Sequence, residues 1–141
     1  FLFETRFYQA RKQGLLTAQD FNRIMLEAQQ EAFCDSLSEY HPYFWAAKLH
    51  FYITDVPFYN FPYTFGYLFS MGIYARALKE GSDFAQRYRQ LLQDTGRMTV
   101  EDLAQKHLGV DLTQPAFWEE AVSLVLRDID EFLALCDKVR F

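Results

Sequence analysis

The chain holds 141 residues, half of them apolar, with 14 basic against 19 acidic side chains and a net charge of −5. That is one domain's length with enough apolar residues for a real core. It excludes a disordered segment, and the acidic excess excludes the clustered basic face of a nucleic-acid module. The charge-free stretch Phe58–Ala75 is broken by Asn60, Pro62, Gly66 and Gly72 and has no Lys/Arg-flanked lead, so it reads neither as a membrane span nor as a signal region. Cys34 and Cys136 lie far apart with no C-x-x-C spacing, which predicts free thiols in a reduced, cytoplasmic setting.

Two compositional features stand out. Of the 26 Phe, Tyr and Trp residues, half fall between Tyr40 and Phe69. The opening Phe1-Leu-Phe-Glu-Thr-Arg-Phe7 carries no initiator Met and no cap. It reads as the middle of a helix, and so predicts a piece of a longer protein.

In chain order, Phe1, Phe3, Phe7 and Tyr8 give a helical face that stops near Gly14. Thr17-Ala-Gln-Asp20 has the capping-box spacing, in which hydroxyl and carboxylate each take a free amide N–H. It predicts a helix to about Phe33 with Phe21, Ile24, Met25, Ala28 and Ala32 inward. A loop from Cys34 to His41 precedes a short helical piece over Tyr43–Leu49. From His50 to Pro62 no period holds, and two prolines bar a regular helix, which predicts an irregular loop walled with rings. After Pro62 a helix aligns Tyr63, Tyr67, Ser70, Met71, Tyr74 and Leu78 and ends at Gly81. Its glycines, Gly66 and Gly72, each cost about 1 kcal/mol against Ala, which predicts a closely packed neighbour.

Ser82 is placed to cap the next helix, whose stripe is Phe84, Tyr88, Leu91 and Leu92. A second box, Thr99-Val-Glu-Asp102, opens a short helix closed by Gly109, with His107 favoured in its last turn by the dipole. Pro115 starts a long last helix reaching about Val139 and carrying Phe117, Ala121, Leu124, Val125, Ile129, Phe132, Leu133 and Cys136. Six or seven helices and no credible strand define an all-α, irregular array in one segment, 1–141.

The residues alone assemble no complete active site. His41, His50 and His107 have no H-E-x-x-H spacing, so no metal site is expected within the chain. The acids read as a solvated helix face, and no serine sits in a nucleophile elbow. The unusual segment is His50–Tyr67, where a His and several Tyr share one loop. Tyr offers a rigid apolar ring and a hydrogen-bonding phenol, suited to gripping a peptide or stabilising an oxyanion. The rival reading is that these rings simply fill a core.

His50-Phe-Tyr52 followed by Pro57-Phe-Tyr59-Asn-Phe-Pro-Tyr63-Thr-Phe-Gly66-Tyr67 resembles the aromatic loop and helix near the C-terminus of oligoendopeptidase F. That family belongs with the thimet-oligopeptidase-like zinc metallopeptidases, whose catalytic domain is an α-helical zincin fold. The likeness continues through Glu31-Ala-Phe33, Arg87-Tyr88 and Gly109-Val-Asp-Leu-Thr-Gln-Pro-Ala-Phe-Trp118 to Asp128-Ile-Asp-Glu-Phe132, in order along the chain. It implies a C-terminal portion of the peptidase domain, with the zinc of the parent enzyme bound upstream and none bound here. By the resemblance, His50, Tyr59 and Tyr63 hold the substrate and stabilise the tetrahedral intermediate, and Tyr52 and Tyr67 bind substrate. It implies oligopeptide substrates and the missing N-terminal part as partners, no nucleic acid or membrane, no activity for the isolated chain, and self-association through exposed apolar surface. The alternatives are a non-enzymatic helical module that binds peptides or a protein in its aromatic groove, and a purely structural domain.

Overall fold

A computed structural model describes residues 1–139, and among them the fold is all-α, with six α-helices, three short 3-10 turns and no strand. The helices are α1 (Leu2–Arg11), α2 (Ala18–Ala32), α3 (Phe61–Glu80), α4 (Phe84–Asp94), α5 (Val100–Leu108) and α6 (Ala116–Val139). The 3-10 turns are Phe44–Ala47, Leu49–Tyr52 and Gly81–Asp83. Among the described residues no helix is long and apolar enough to cross a membrane. The chain forms two compact units, Phe1–Pro62 and Tyr63–Phe141.

In the first unit α1 packs on α2, and the Phe44–Ala47 turn packs on α2 in turn. The capping box forms in full: Asp20 N–H donates to Thr17 Oγ1 at 3.3 Å, and Thr17 N–H donates to Asp20 Oδ2 at 2.8 Å. Those two bonds satisfy amide groups that the helix itself leaves unpaired. The Thr17 amide bond also draws the Asp20 carboxyl below its ordinary range, with the Thr17 hydroxyl the next cause. Ile24, Met25 and Ala28 are buried as their spacing predicts, joined by Phe3 and by half-buried Leu16, Trp45 and Phe51, whereas Ala32 is exposed. Cys34 and Asp35 both adopt positive φ directly beyond α2, so the chain leaves the helical path there.

The second unit centres on Phe84, Leu91, Leu103, Ala104, Leu108 and Phe117. Phe117 is 3 % exposed, and such burial of a Phe contributes about 1.5–3 kcal/mol. Its ring lies against Gly72 of α3, where a Cβ would come within 2.3 Å of Cζ. The close approach expected of the α3 glycines therefore holds at Gly72. Nothing lies within 4 Å of a Cβ at Gly66, so that glycine has no packing reason.

Other expectations need correction. Helix α3 starts at Phe61, one residue before Pro62; the ring is tolerated because first-turn amides have no helical acceptor anyway. Ser82 does not cap α4, because Gly81–Asp83 forms a 3-10 turn that runs into the helix from a left-handed Gly81. On α4 only Phe84 and Leu91 of the expected stripe are buried. Thr99 caps α5 by accepting from Asp102 N–H, and left-handed Gly109 ends it. On α6 the stripe is buried through Leu124, but Leu126, Ile129, Phe132 and Leu133 are exposed.

Candidate functional site

The first unit contains a cleft of about 410 Å³ bordered by α1, α2 and the two 3-10 turns. Its wall is a chain of ring contacts: Phe3 against Phe51 at 5.1 Å, Phe7 edge-on to Phe21 at 5.3 Å, and Phe21 edge-on to Trp45 at 5.1 Å. Edge-to-face pairs set ring orientation as well as contributing burial. Trp45 is pinned further, since its indole N–H donates to Asn22 Oδ1 at 2.8 Å. Tyr8, His50 and Tyr52 also line the cleft, as does Glu4, a residue only 5 % exposed.

His50 sits in the 3-10 turn Leu49–Tyr52. Asn60 Nδ2 lies 3.0 Å from its Nε2; the amide N–H donates to an unprotonated Nε2, which leaves Nδ1–H as the ring's donor. The Tyr59 ring stacks on the imidazole at 5.6 Å and 29°. The segment that brings Tyr59 back to His50 turns at Phe58, where φ is +55°, and the Phe58 N–H donates to Glu4 Oε1 at 2.8 Å. Glu4 thus fixes from α1 the loop on which Tyr59 rides.

Tyr52 has a different environment. Its hydroxyl donates to the Ala46 carbonyl at 3.2 Å, tying together the two 3-10 turns. The ring itself contributes to the cleft wall.

Tyr63 and Tyr67 belong to the second unit, one turn apart on α3. They continue with Tyr74 and Leu78 as an exposed line, while Gly72 and Ala75 are the buried residues of that helix. Among the expected site residues, then, His50 and Tyr59 are in ring contact within the first unit, and Tyr63 and Tyr67 share one helix face in the second.

Among the described residues no group of three or more His, Cys, Asp and Glu side chains converges as a metal site. The densest polar cluster is in the second unit. Asp94 Oδ2 accepts from Lys106 Nζ at 2.6 Å and from His107 Nε2 at 2.9 Å, and Oδ1 accepts from Arg97 Nη1 at 3.0 Å. These bonds hold the carboxyl below its ordinary range, Lys106 contributing most and His107 next. An acid at the end of α4 opposes the helix dipole; the three donors offset that and tie α4 to α5. His107, expected merely to favour a helix end, is 7 % exposed and belongs to this clamp. Glu120 similarly accepts from Lys79 at 2.7 Å, the main cause of its lowered carboxyl, and so links α6 to α3.

Glu4 and Asn60 escaped the sequence reading. Glu4 did carry a signal, an acid at i+3 from Phe1 and i−4 from Tyr8 on an otherwise aromatic helix face. Asn60 carried only its polarity within an apolar loop. Comparisons with protein families, curated proteins and solved structures give no match to the chain.

Proposed function

We propose that this chain is the C-terminal, substrate-facing part of a cytosolic zinc oligoendopeptidase of the oligoendopeptidase F type, hydrolysing short unstructured peptides. The observation that carries the reading is the His50–Tyr59 ring pair beside an aromatic cleft, on the very string that resembles that family. Zinc in such enzymes supplies an activated water. The resemblance assigns its ligands to residues upstream of those matched here.

The role of this chain is then binding and charge stabilisation. His50, held by Asn60 through Nε2, presents Nδ1–H to a substrate carbonyl. By the resemblance, Tyr59 and Tyr63 are the candidates for the phenolic donor to the oxygen that becomes negative as the scissile carbonyl turns tetrahedral, and such a donor acts mainly on the transition state. Tyr52 and Tyr67 contribute ring faces to substrate binding.

Expressed from its complete reading frame, the protein is expected to cleave a quenched-fluorescence heptapeptide, with activity lost to a chelator and restored by zinc. His50→Ala and Tyr59→Phe should lower kcat about tenfold or more. Cleavage that ignores chelator, or no cleavage at all, overturns the reading.

A second reading, a non-enzymatic peptide-binding module, draws on the fixed aromatic wall around Trp45, which can grip a peptide without a metal. It predicts peptide binding by the protein that a chelator leaves unchanged, with no turnover.

A further inference from the structure

Glu4 is a carboxylate within the most aromatic part of the molecule. It is 5 % exposed, and among the described residues its one hydrogen bond is from the Phe58 amide to Oε1. It forms no ion pair there; the nearby arginine on its own helix, Arg6, is spent on Glu31. A carboxylate beside apolar rings is favoured by a nearby positive charge or by further donors, and Glu4 has one amide donor. Two acids within the second unit contrast with it, since Asp94 and Glu120 each have two or more cationic partners.

The surroundings of Glu4 specify what would complete it. Phe3, Phe7, Phe21, Trp45 and Phe51 line the same cleft. Ring faces attract cations through their quadrupole, Trp most strongly, and the attraction grows when the site is desolvated. Aromatic rings that share a cleft with an acid suit an organic cation, and the space of about 410 Å³ falls within the range of small-ligand sites. An anion would meet like charge, and a purely apolar group would leave the carboxylate uncompensated.

We propose that the cleft of the first unit binds an alkylammonium or guanidinium group, with Glu4 as counter-ion and the rings of Phe3, Phe7, Phe21, Trp45 and Phe51 as its walls. The shared chemistry is a monocation on an apolar stem, which either a free amino terminus or a Lys or Arg side chain supplies. The inference goes beyond the peptidase reading and does not depend on it, because it needs neither zinc nor turnover.

The test is NMR titration of the full chain, followed on the Trp45 indole N–H, with N-acetyl-argininamide and n-butylammonium as probes and N-acetyl-citrullinamide and n-butanol as their uncharged counterparts. At least one cation is expected to shift the resonance saturably with an affinity about tenfold or more above that of its neutral counterpart. Which cation does so identifies the source. Glu4→Gln keeps a carbonyl for the Phe58 amide and should abolish the preference while circular dichroism stays unchanged. Equal affinity for charged and neutral probes, or no saturable shift with either cation, overturns the proposal. That comparison needs only the unaltered protein, so it decides the matter even if Glu4→Gln fails to fold. If the protein expressed from its complete reading frame binds the cation but never cleaves peptides, the peptidase reading alone falls.

Discussion

Phe117 lies so close over Gly72 that a Cβ on residue 72 would come within 2.3 Å of its Cζ. Gly72→Ala gains about 1 kcal/mol of helix propensity, but the ring is enclosed by Phe69 and Trp118 at 5.6 and 5.2 Å. Overpacking of this kind costs about 1–3 kcal/mol or more, so the substitution should be net destabilising in urea unfolding. Gly66→Ala, with open space around it, should be neutral or stabilising by up to about 1 kcal/mol. A pair of curves in the reverse order would contradict the packing.

The two Thr caps differ in completeness. Thr17 has the reciprocal pair of bonds, whereas Thr99 accepts from Asp102 N–H without the returning bond to its own amide. Thr17→Ala should cost about 1–2 kcal/mol and Thr99→Ala about 0.5–1 kcal/mol, measured by chemical denaturation.

The clamp at Asp94 makes the second unit sensitive to acid. Its donors lower the folded-state pKa below the ordinary 3.8. Less proton is thus bound in the folded state than in the unfolded one, and the contribution is present in full above about pH 4. It is lost as pH falls through the depressed value. Asp94→Asn should lower Tm at pH 7, with the gap to the unaltered chain closing as pH drops below the ordinary Asp range. A gap that persisted unchanged in acid would show that the carboxylate charge is not what holds α4 to α5.

Beyond Leu124, α6 leaves Leu126, Ile129, Phe132 and Leu133 at 47–62 % exposure. Such a contiguous apolar strip favours association. Sedimentation of the chain should show concentration-dependent oligomers, and Ile129→Glu with Phe132→Glu should return it to monomer while leaving the Phe117 core intact.

The phenols separate the enzymatic from the purely structural reading. In the peptidase, Tyr59→Phe and Tyr63→Phe each remove one donor and should lower kcat about tenfold with KM little changed. Tyr52→Phe should change kcat far less, because its hydroxyl serves the Ala46 carbonyl. Unchanged turnover in all three variants would leave the rings as packing alone.

The helices were legible wherever the signal was local. Thr17 with Asp20, Thr99, Gly81, Gly109 and Pro115 set helix ends through bonds spanning three or four residues, and the α2 stripe of Ile24, Met25 and Ala28 needs nothing beyond its own periodicity. The aromatic loop was legible as unusual, because its rings are adjacent in sequence. What no local pattern contains is pairing across long separations. Asn60 meets His50 because a turn at Phe58 folds the loop back, and that turn is held from 54 residues away by Glu4. Gly72 and Gly66 look alike in sequence, and only the arrival of Phe117 from α6 distinguishes them. His107 read as a helix-end residue until α4 brought Asp94 to its ring. Periodicity and caps are short-range preferences of the backbone, so they can be read along the chain. Close approach, burial of a charge and the meeting of two side chains depend on how helices pack, and they exist only once the chain has folded.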